Sequence, residues 1–222
     1  MTVEMIAYTR PDDHDNPAAV VERAACICYD STPDLVGFKV ARACARSGHL
    51  SVWEHISFTF KATGVSRALL AQLTRHRHAS YSVRSQRYCA EDGFEIFNPF
   101  EAETINHRRV DELAQDARDC YQLLTASGAA PEDARYVLPN ACTTQLYVTA
   151  NARALIEASH LRLCSRAQAE IRQLFAAMRD QVGAVCPELA ALMVPQCEQH
   201  AVPFCPERQS CGRHPRLQDL IK

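Results

Sequence analysis

Arg75-His76-Arg77-His78-Ala79-Ser80-Tyr81-Ser82-Val83-Arg84-Ser85-Gln86-Arg87-Tyr88 holds four arginines, two histidines and three serines, and no acid. No Asp or Glu occurs anywhere from Lys61 to Ala90. The whole chain has a formal net charge of -2, so this run is a local concentration of positive charge. Guanidinium forks suit phosphate or carboxylate, which they hold through paired hydrogen bonds. A solvated basic face is the other reading of such a run. Two features favour the anion site: the arginines alternate with Ser and Tyr rather than with Lys or Glu, and apolar sequence precedes the run.

The elements around the run follow from periodicity and capping. Just upstream, Ser66 can cap a helix containing Leu69, Leu70 and Leu73, which delivers Arg75 to Arg77 near its C-terminal end. Before that, Ile56 to Thr63 alternates apolar and polar residues as a half-buried strand does. His78 to about Pro99 reads as a loop. Asn16-Pro17 opens a helix from Ala18 to Tyr29, and a second helix runs from about Asp34 to Ser47, ended by Gly48. Downstream, a polar amphipathic helix spans about Ile105 to Ser127, and Pro131 starts a short one. Thr143 to Thr149 reads as a strand, and Asn151 caps a helix through His160. The last long helix is expected from Ser165 to about Val182, which places Arg162 just before it. From Cys186 the chain is rich in Pro, Cys and His and reads as an irregular tail.

Length and composition suit a single domain over residues 1-222, with that tail at about 186-222 as an appendage. No long uncharged apolar run exists, so no membrane span is expected. The first residues lack a basic region followed by an apolar stretch, so a cytoplasmic protein is expected, with its 11 cysteines reduced or ligating metal. A charge near balance gives no global attraction to nucleic acid or membrane.

Arg75-His76-Arg77, seven residues, then Ser85 resembles the signature of the flavin-dependent thymidylate synthases, and Ser85-Gln86-Arg87-Tyr88 continues the likeness. Further blocks keep the family's order: Gly48-His49, Glu54-His55-Ile56-Ser57-Phe58-Thr59-Phe60, Ala134-Arg135-Tyr136-Val137-Leu138-Pro139, Asn151-Ala152-Arg153 and Leu161-Arg162-Leu163-Cys164-Ser165-Arg166-Ala167-Gln168-Ala169-Glu170-Ile171. The resemblance implies an α+β fold, an antiparallel sheet packed with helices. It implies reductive methylation of dUMP to dTMP, with methylenetetrahydrofolate as one-carbon donor and NADPH-reduced FAD as hydride source. It also implies a homotetramer with active sites between subunits, the Arg75-His76-Arg77 run and the Arg162 segment coming from different chains.

Residue by residue, the resemblance places His49, Ser51, Arg75, His76, Arg77, Asn151, Ala152 and Arg153 at the flavin. Glu157 falls at a flavin-side position where Asn or His is common. Gln72, Arg75, Ser85, Gln86, Arg87 and Arg135 fall at the nucleotide. Arg162 is implied to bind the uracil and stabilise negative charge at its nitrogen 3. Ser82-Val83 departs from the family's Asn-Glu or Asn-Gln, and the Val83 side chain cannot hydrogen-bond.

Cys197, Cys205 and Cys211, with His200 and His214 nearby, could hold tetrahedral zinc. Their spacing is not that of a zinc ribbon, and buried thiols packing the tail are the alternative. Two rival functions follow from these features. One is a nucleotide- or nucleic-acid-binding protein without catalysis, which would use the basic loop. The other is a zinc-stabilised protein that has lost catalysis.

Overall fold

The structure is a computed structural model and describes residues 1-221. In chain order it contains β1 (Thr2–Tyr8), α1 (Ala18–Ile27), α2 (Lys39–Arg46), β2 (Ser57–Ser66), α3 (Arg67–Leu73), β3 (Ala79–Val83), α4 (Ile105–Ala126), α5 (Pro131–Ala134), β4 (Thr143–Asn151), α6 (Ala152–Arg162), α7 (Ala169–Gly183), α8 (Pro187–Ala190) and α9 (Leu217–Leu220). The strands form one antiparallel sheet in the order β1-β2-β4-β3, and the architecture is α+β.

Both central strands are legible from alternation, because each alternates buried and less buried residues along most of its length. Both edge strands differ from the sequence reading. β1 has no fully buried residue, and β3 lies inside the stretch that reads as a loop. β1 gives a weak signal because it buries little on either face, whereas β3 alternates but is only five residues long and sits in a basic run. α7 begins at Ala169 rather than Ser165. Arg162 is therefore the last residue of α6, not a residue preceding the next helix.

Contacts divide the chain into two compact units. The first comprises Met1–Thr2, Ala62–Arg75 and Tyr81–Tyr147. Its core contains Ala62, Val65, Leu69, Leu73, Ala114, Tyr121 and Leu146. α3 starts where Ser66 accepts from the Leu69 N–H at 3.0 Å. α4 is capped in the same way by Thr104, which accepts from His107 N–H at 3.1 Å.

The second unit comprises Val3–Lys61, His76–Ser80 and Val148–Lys222. Trp53, Ile56, Phe58, Leu155, Ile171, Leu174, Phe175 and Met178 lie in its core. α2 is shorter than periodicity predicts, because Asp34 folds the preceding residues into a turn. Its Oδ1 accepts from Gly37 N–H at 2.9 Å and Val36 N–H at 3.3 Å. Phe38 then takes a left-handed conformation (φ 48°) and caps nothing with its side chain. The cap comes from α1 instead. The fully buried Glu22 accepts from the Ala41 N–H at 2.8 Å, from Val40 N–H at 3.3 Å and from Asp34 N–H at 3.2 Å. A carboxylate at a helix N-terminus satisfies orphan donors and suits the helix dipole.

Candidate functional site

In the first unit, α3 ends at Leu73, and Arg75 follows within a turn, its N–H donating to Gln72 O at 3.4 Å. Arg75 is exposed and forms no ion pair among the described residues. β3 then carries the chain to the nucleotide candidates. Tyr81 Oη donates to Leu73 O at 2.8 Å, which ties the strand to the end of α3. Ser85 Oγ accepts from the Arg87 N–H at 3.2 Å, and Gln86 Nε2 lies 3.8 Å from Cys142 Sγ. Arg87 Nε donates to Glu132 at 2.9 Å, and Arg135 Nε donates to Glu132 O at 3.1 Å. Arg87 and Arg135 thus both bond to Glu132 on α5. Arg84 is held away from this group by an ion pair with the buried Glu91 and a bond from its Nη2 to Ala90 O at 3.0 Å.

In the second unit, His76 and Arg162 meet: Arg162 Nε donates to His76 Nε2 at 2.8 Å. His76 therefore accepts at Nε2 and, as a neutral ring, carries its proton on Nδ1. Burial, and then the Arg162 cation, push its pKa below the usual histidine value. The Phe175 ring lies 6.0 Å from the imidazole. The resemblance implied different chains for these two segments; here a residue of the basic run and Arg162 already touch within one chain. Arg77 is exposed and forms no ion pair among the described residues.

His49 and Ser51, both exposed, stand at the start of the 3₁₀ turn Leu50–His55, which packs on α6. Asn151 caps α6, its Oδ1 accepting from Ala154 N–H at 2.8 Å. The Ala152 N–H donates to Ile56 O at 2.9 Å. These two amides at the helix start are thus occupied. Arg153 bridges Glu157 at 2.8 Å and Glu54 at 2.7 Å, which gives Glu157 a partner within its own helix. Glu54 and Glu132 are counter-charges of arginines far away in the chain, Arg153 and Arg87, while Glu91 pairs with Arg84 seven residues before it.

His76 and His160 share a further property. Burial is the main cause that lowers the pKa of both, so each binds fewer protons folded than unfolded. Their contribution to stability is full above about 6.5 and is lost as pH falls below that value towards their folded pKa values. The thermal midpoint is expected to fall between about pH 7 and pH 5, and less steeply in His160→Gln. Identical slopes for the two proteins would show that His160 contributes nothing to this dependence.

A cavity of about 280 Å³ lies in the second unit, lined among others by Arg162, Cys164, Cys197, Cys205, Cys211 and His214. All three cysteines singled out in the tail therefore reach one place. Cys197 and Cys205 are buried, Cys211 is exposed, and all are free thiols. The loop after α6 is clasped by the tail, with Arg166 Nη2 donating to Gln209 O at 2.7 Å.

Residues 4–188 match the family model described as thymidylate synthase complementing protein. A flavin-dependent thymidylate synthase of Geobacter sulfurreducens is 39% identical over 236 residues, covering 100% of this chain and 98% of that protein. One of Clostridium tetani is 37% identical over 246 residues, covering 98% and 96%. One of Pyrococcus furiosus is 36% identical over 171 residues, covering 72% and 69%. With matches of this extent, laid over the geometry just described, the chain belongs to the family of flavin-dependent thymidylate synthases.

Proposed function

We propose that the chain forms dTMP from dUMP by reductive methylation, with FAD as cofactor, methylenetetrahydrofolate as one-carbon donor and NADPH as reductant. Residues 1-222 act as one catalytic domain in this reading. The observation that carries it is the bond from Arg162 Nε to His76 Nε2, which joins the end of α6 to the basic run.

The residues present fit an anionic flavin dinucleotide. Arg75 and Arg77 are exposed cations without an acid partner among the described residues, in a stretch free of acids. Arg153 is paired, but its two carboxylates are about half exposed, and such pairs contribute roughly 0–1 kcal/mol. A pyrophosphate can therefore displace them at little cost. His49, Ser51, His76, Asn151 and Ala152 complete the flavin side of the reading. When bound and reduced, FAD supplies the hydride that completes the methyl group.

The chain's own tasks are binding and electrostatics. Gln72, Arg75, Ser85, Gln86, Arg87 and Arg135 hold the nucleotide, with Arg87 exchanging the exposed Glu132 for a dianionic phosphate. Arg162 binds the uracil and places its cation against charge gathering at nitrogen 3 as the ring is attacked. Its bond to His76 holds the guanidinium in one plane, and the neutral imidazole adds no competing positive charge.

Arg87→Ala is expected to raise the KM for dUMP roughly 10–100-fold with little change in kcat, the loss of a charge-assisted contact to phosphate. Steady-state kinetics at saturating folate measures it, and an unchanged KM removes Arg87 from the nucleotide site. Chromatographic product analysis tests the function itself. dTMP should form only when FAD, a reductant, dUMP and methylenetetrahydrofolate are all present, and its absence from the full mixture contradicts the proposal.

A homotetramer with active sites at subunit interfaces is part of the reading. Ile105, Leu113 and Leu123 on α4 are large apolar side chains left exposed, which suits burial against another copy. Cytoplasmic location accords with the substrates, and no helix among the described residues is long and apolar enough to cross a membrane.

A further inference from the structure

The tail beyond residue 188 lies outside the matched family model, yet it folds back onto the loop that follows Arg162. Its own hydrogen bonds are mostly local or from side chains, such as Ser210 Oγ to His214 O at 2.5 Å and Arg216 Nη1 to Arg208 O at 3.2 Å. Phe204 N–H donates to Cys197 O at 3.1 Å, and Cys205 N–H donates to Pro215 O at 2.7 Å. Apart from the single 3₁₀ turn Gln196–Glu198, no helix or strand forms between α8 and α9. Within this irregular segment, Cys197, Glu198 and His214 bring a thiol, a carboxylate oxygen and an imidazole nitrogen to within 4.8 Å of one another. Cys164, Cys205 and Cys211 line the same cavity.

Packing alone explains buried thiols, but it does not call for a carboxylate and an imidazole beside one of them. Thiolate, imidazole and carboxylate together are the donor set of a zinc-class divalent ion. We propose that Cys197, Glu198 and His214 ligate such an ion, with the remaining position taken by a thiol of the cavity or by water. Binding forms a metal–sulfur bond at Cys197 and releases its thiol proton to solvent, with no change of oxidation state. Glu198 Oε1 is met at 2.6 Å by Arg213 and at 3.2 Å by His214. Arg213 is about half exposed, so it can yield to a divalent ion at small cost.

The site has a structural use. Joining residues 197 and 198 to 214 closes an irregular loop and adds a cross-link to the hydrogen bonds that already order it. That loop carries Glu207, 3.7 Å from Arg166, and Gln209, which accepts from it. The ion therefore fastens the clasp on the segment beginning one residue after Arg162.

Two measurements on the full chain test this. Protein prepared without chelator and dialysed against metal-free buffer is assayed for zinc by plasma mass spectrometry, alongside the double variant Cys197→Ser/His214→Ala and the control Cys28→Ser, an exposed cysteine outside the cavity. About one zinc per chain is expected in the wild type and the control, and none in the double variant. Chelator-stripped wild-type protein is then titrated with Co²⁺, which needs no variant to fold. It should saturate at one equivalent with thiolate charge-transfer and tetrahedral absorption. Absence of zinc in the wild type together with a featureless cobalt titration overturns the proposal. So does full zinc retention in the double variant.

Discussion

Arg162→Ala is expected to bind FAD as well as the wild type and to form dTMP about 100- to 1,000-fold more slowly. This is the loss of one donor aimed at developing charge, about 2.7–4 kcal/mol in well-studied oxyanion sites. The reasoning rests on where Arg162 stands. It ends α6, its Nε donates to His76, and it lines a cavity rather than lying flat on the surface. An arginine that only packed its stem would cost stability when truncated, not the chemical step. Single-turnover kinetics on flavin-loaded protein separates these cases. A slow chemical step with normal flavin content supports the assignment, and unchanged dTMP formation removes Arg162 from the reaction. Arg162→Lys should recover little, since a point charge cannot reproduce a planar fork.

The largest effect on stability is expected at Glu22. Glu22→Ala removes a fully buried acceptor for Ala41 N–H, which is buried, and for Val40 N–H and Asp34 N–H, which are partly buried. α2 has no side-chain cap of its own, so nothing nearby substitutes. Each buried donor left without a partner costs about 1–3 kcal/mol. A loss of about 3–5 kcal/mol is expected, a large part of the roughly 5–15 kcal/mol that holds a domain folded. Glu22→Gln keeps the volume and one acceptor oxygen, so it should lose about 1–3 kcal/mol. Urea unfolding measures both. A midpoint equivalent to less than 1 kcal/mol for Glu22→Ala, with unchanged slope, would show that α2 does not depend on this cap.

Glu22 also marks where reading the sequence stops. Its place in α1 follows from the spacing of its apolar neighbours, but its partners lie up to 19 residues away in a turn that only the folded chain creates. Local signals did better. Ser66 and Asn151 stand as caps where their residue types suggest. β2 and β4 alternate as buried central strands must, whereas β1 buries no residue fully, and β3 alternates but is only five residues long and lies within the basic run. The basic run stands out in the sequence because acids are absent from it. Of the acids that answer its arginines and Arg153 of α6, Glu132 and Glu54 lie far away in the chain and meet them only in the structure, whereas Glu157 is four residues from Arg153 on the same helix. The departure at Val83 is a different matter. It sits on β3 beside Arg84, which pairs with Glu91.

The most direct test of the central claim is the visible absorption of FAD-loaded protein under strict anaerobiosis. The flavin is first bleached with a stoichiometric chemical reductant, so the outcome does not depend on which nicotinamide donor serves. dUMP and methylenetetrahydrofolate are then added singly and together. The account predicts that the flavin colour stays bleached with either substrate alone and returns, with one dTMP per flavin, only when both are present. Flavin that fails to bind, or colour that never returns with both substrates, would contradict it.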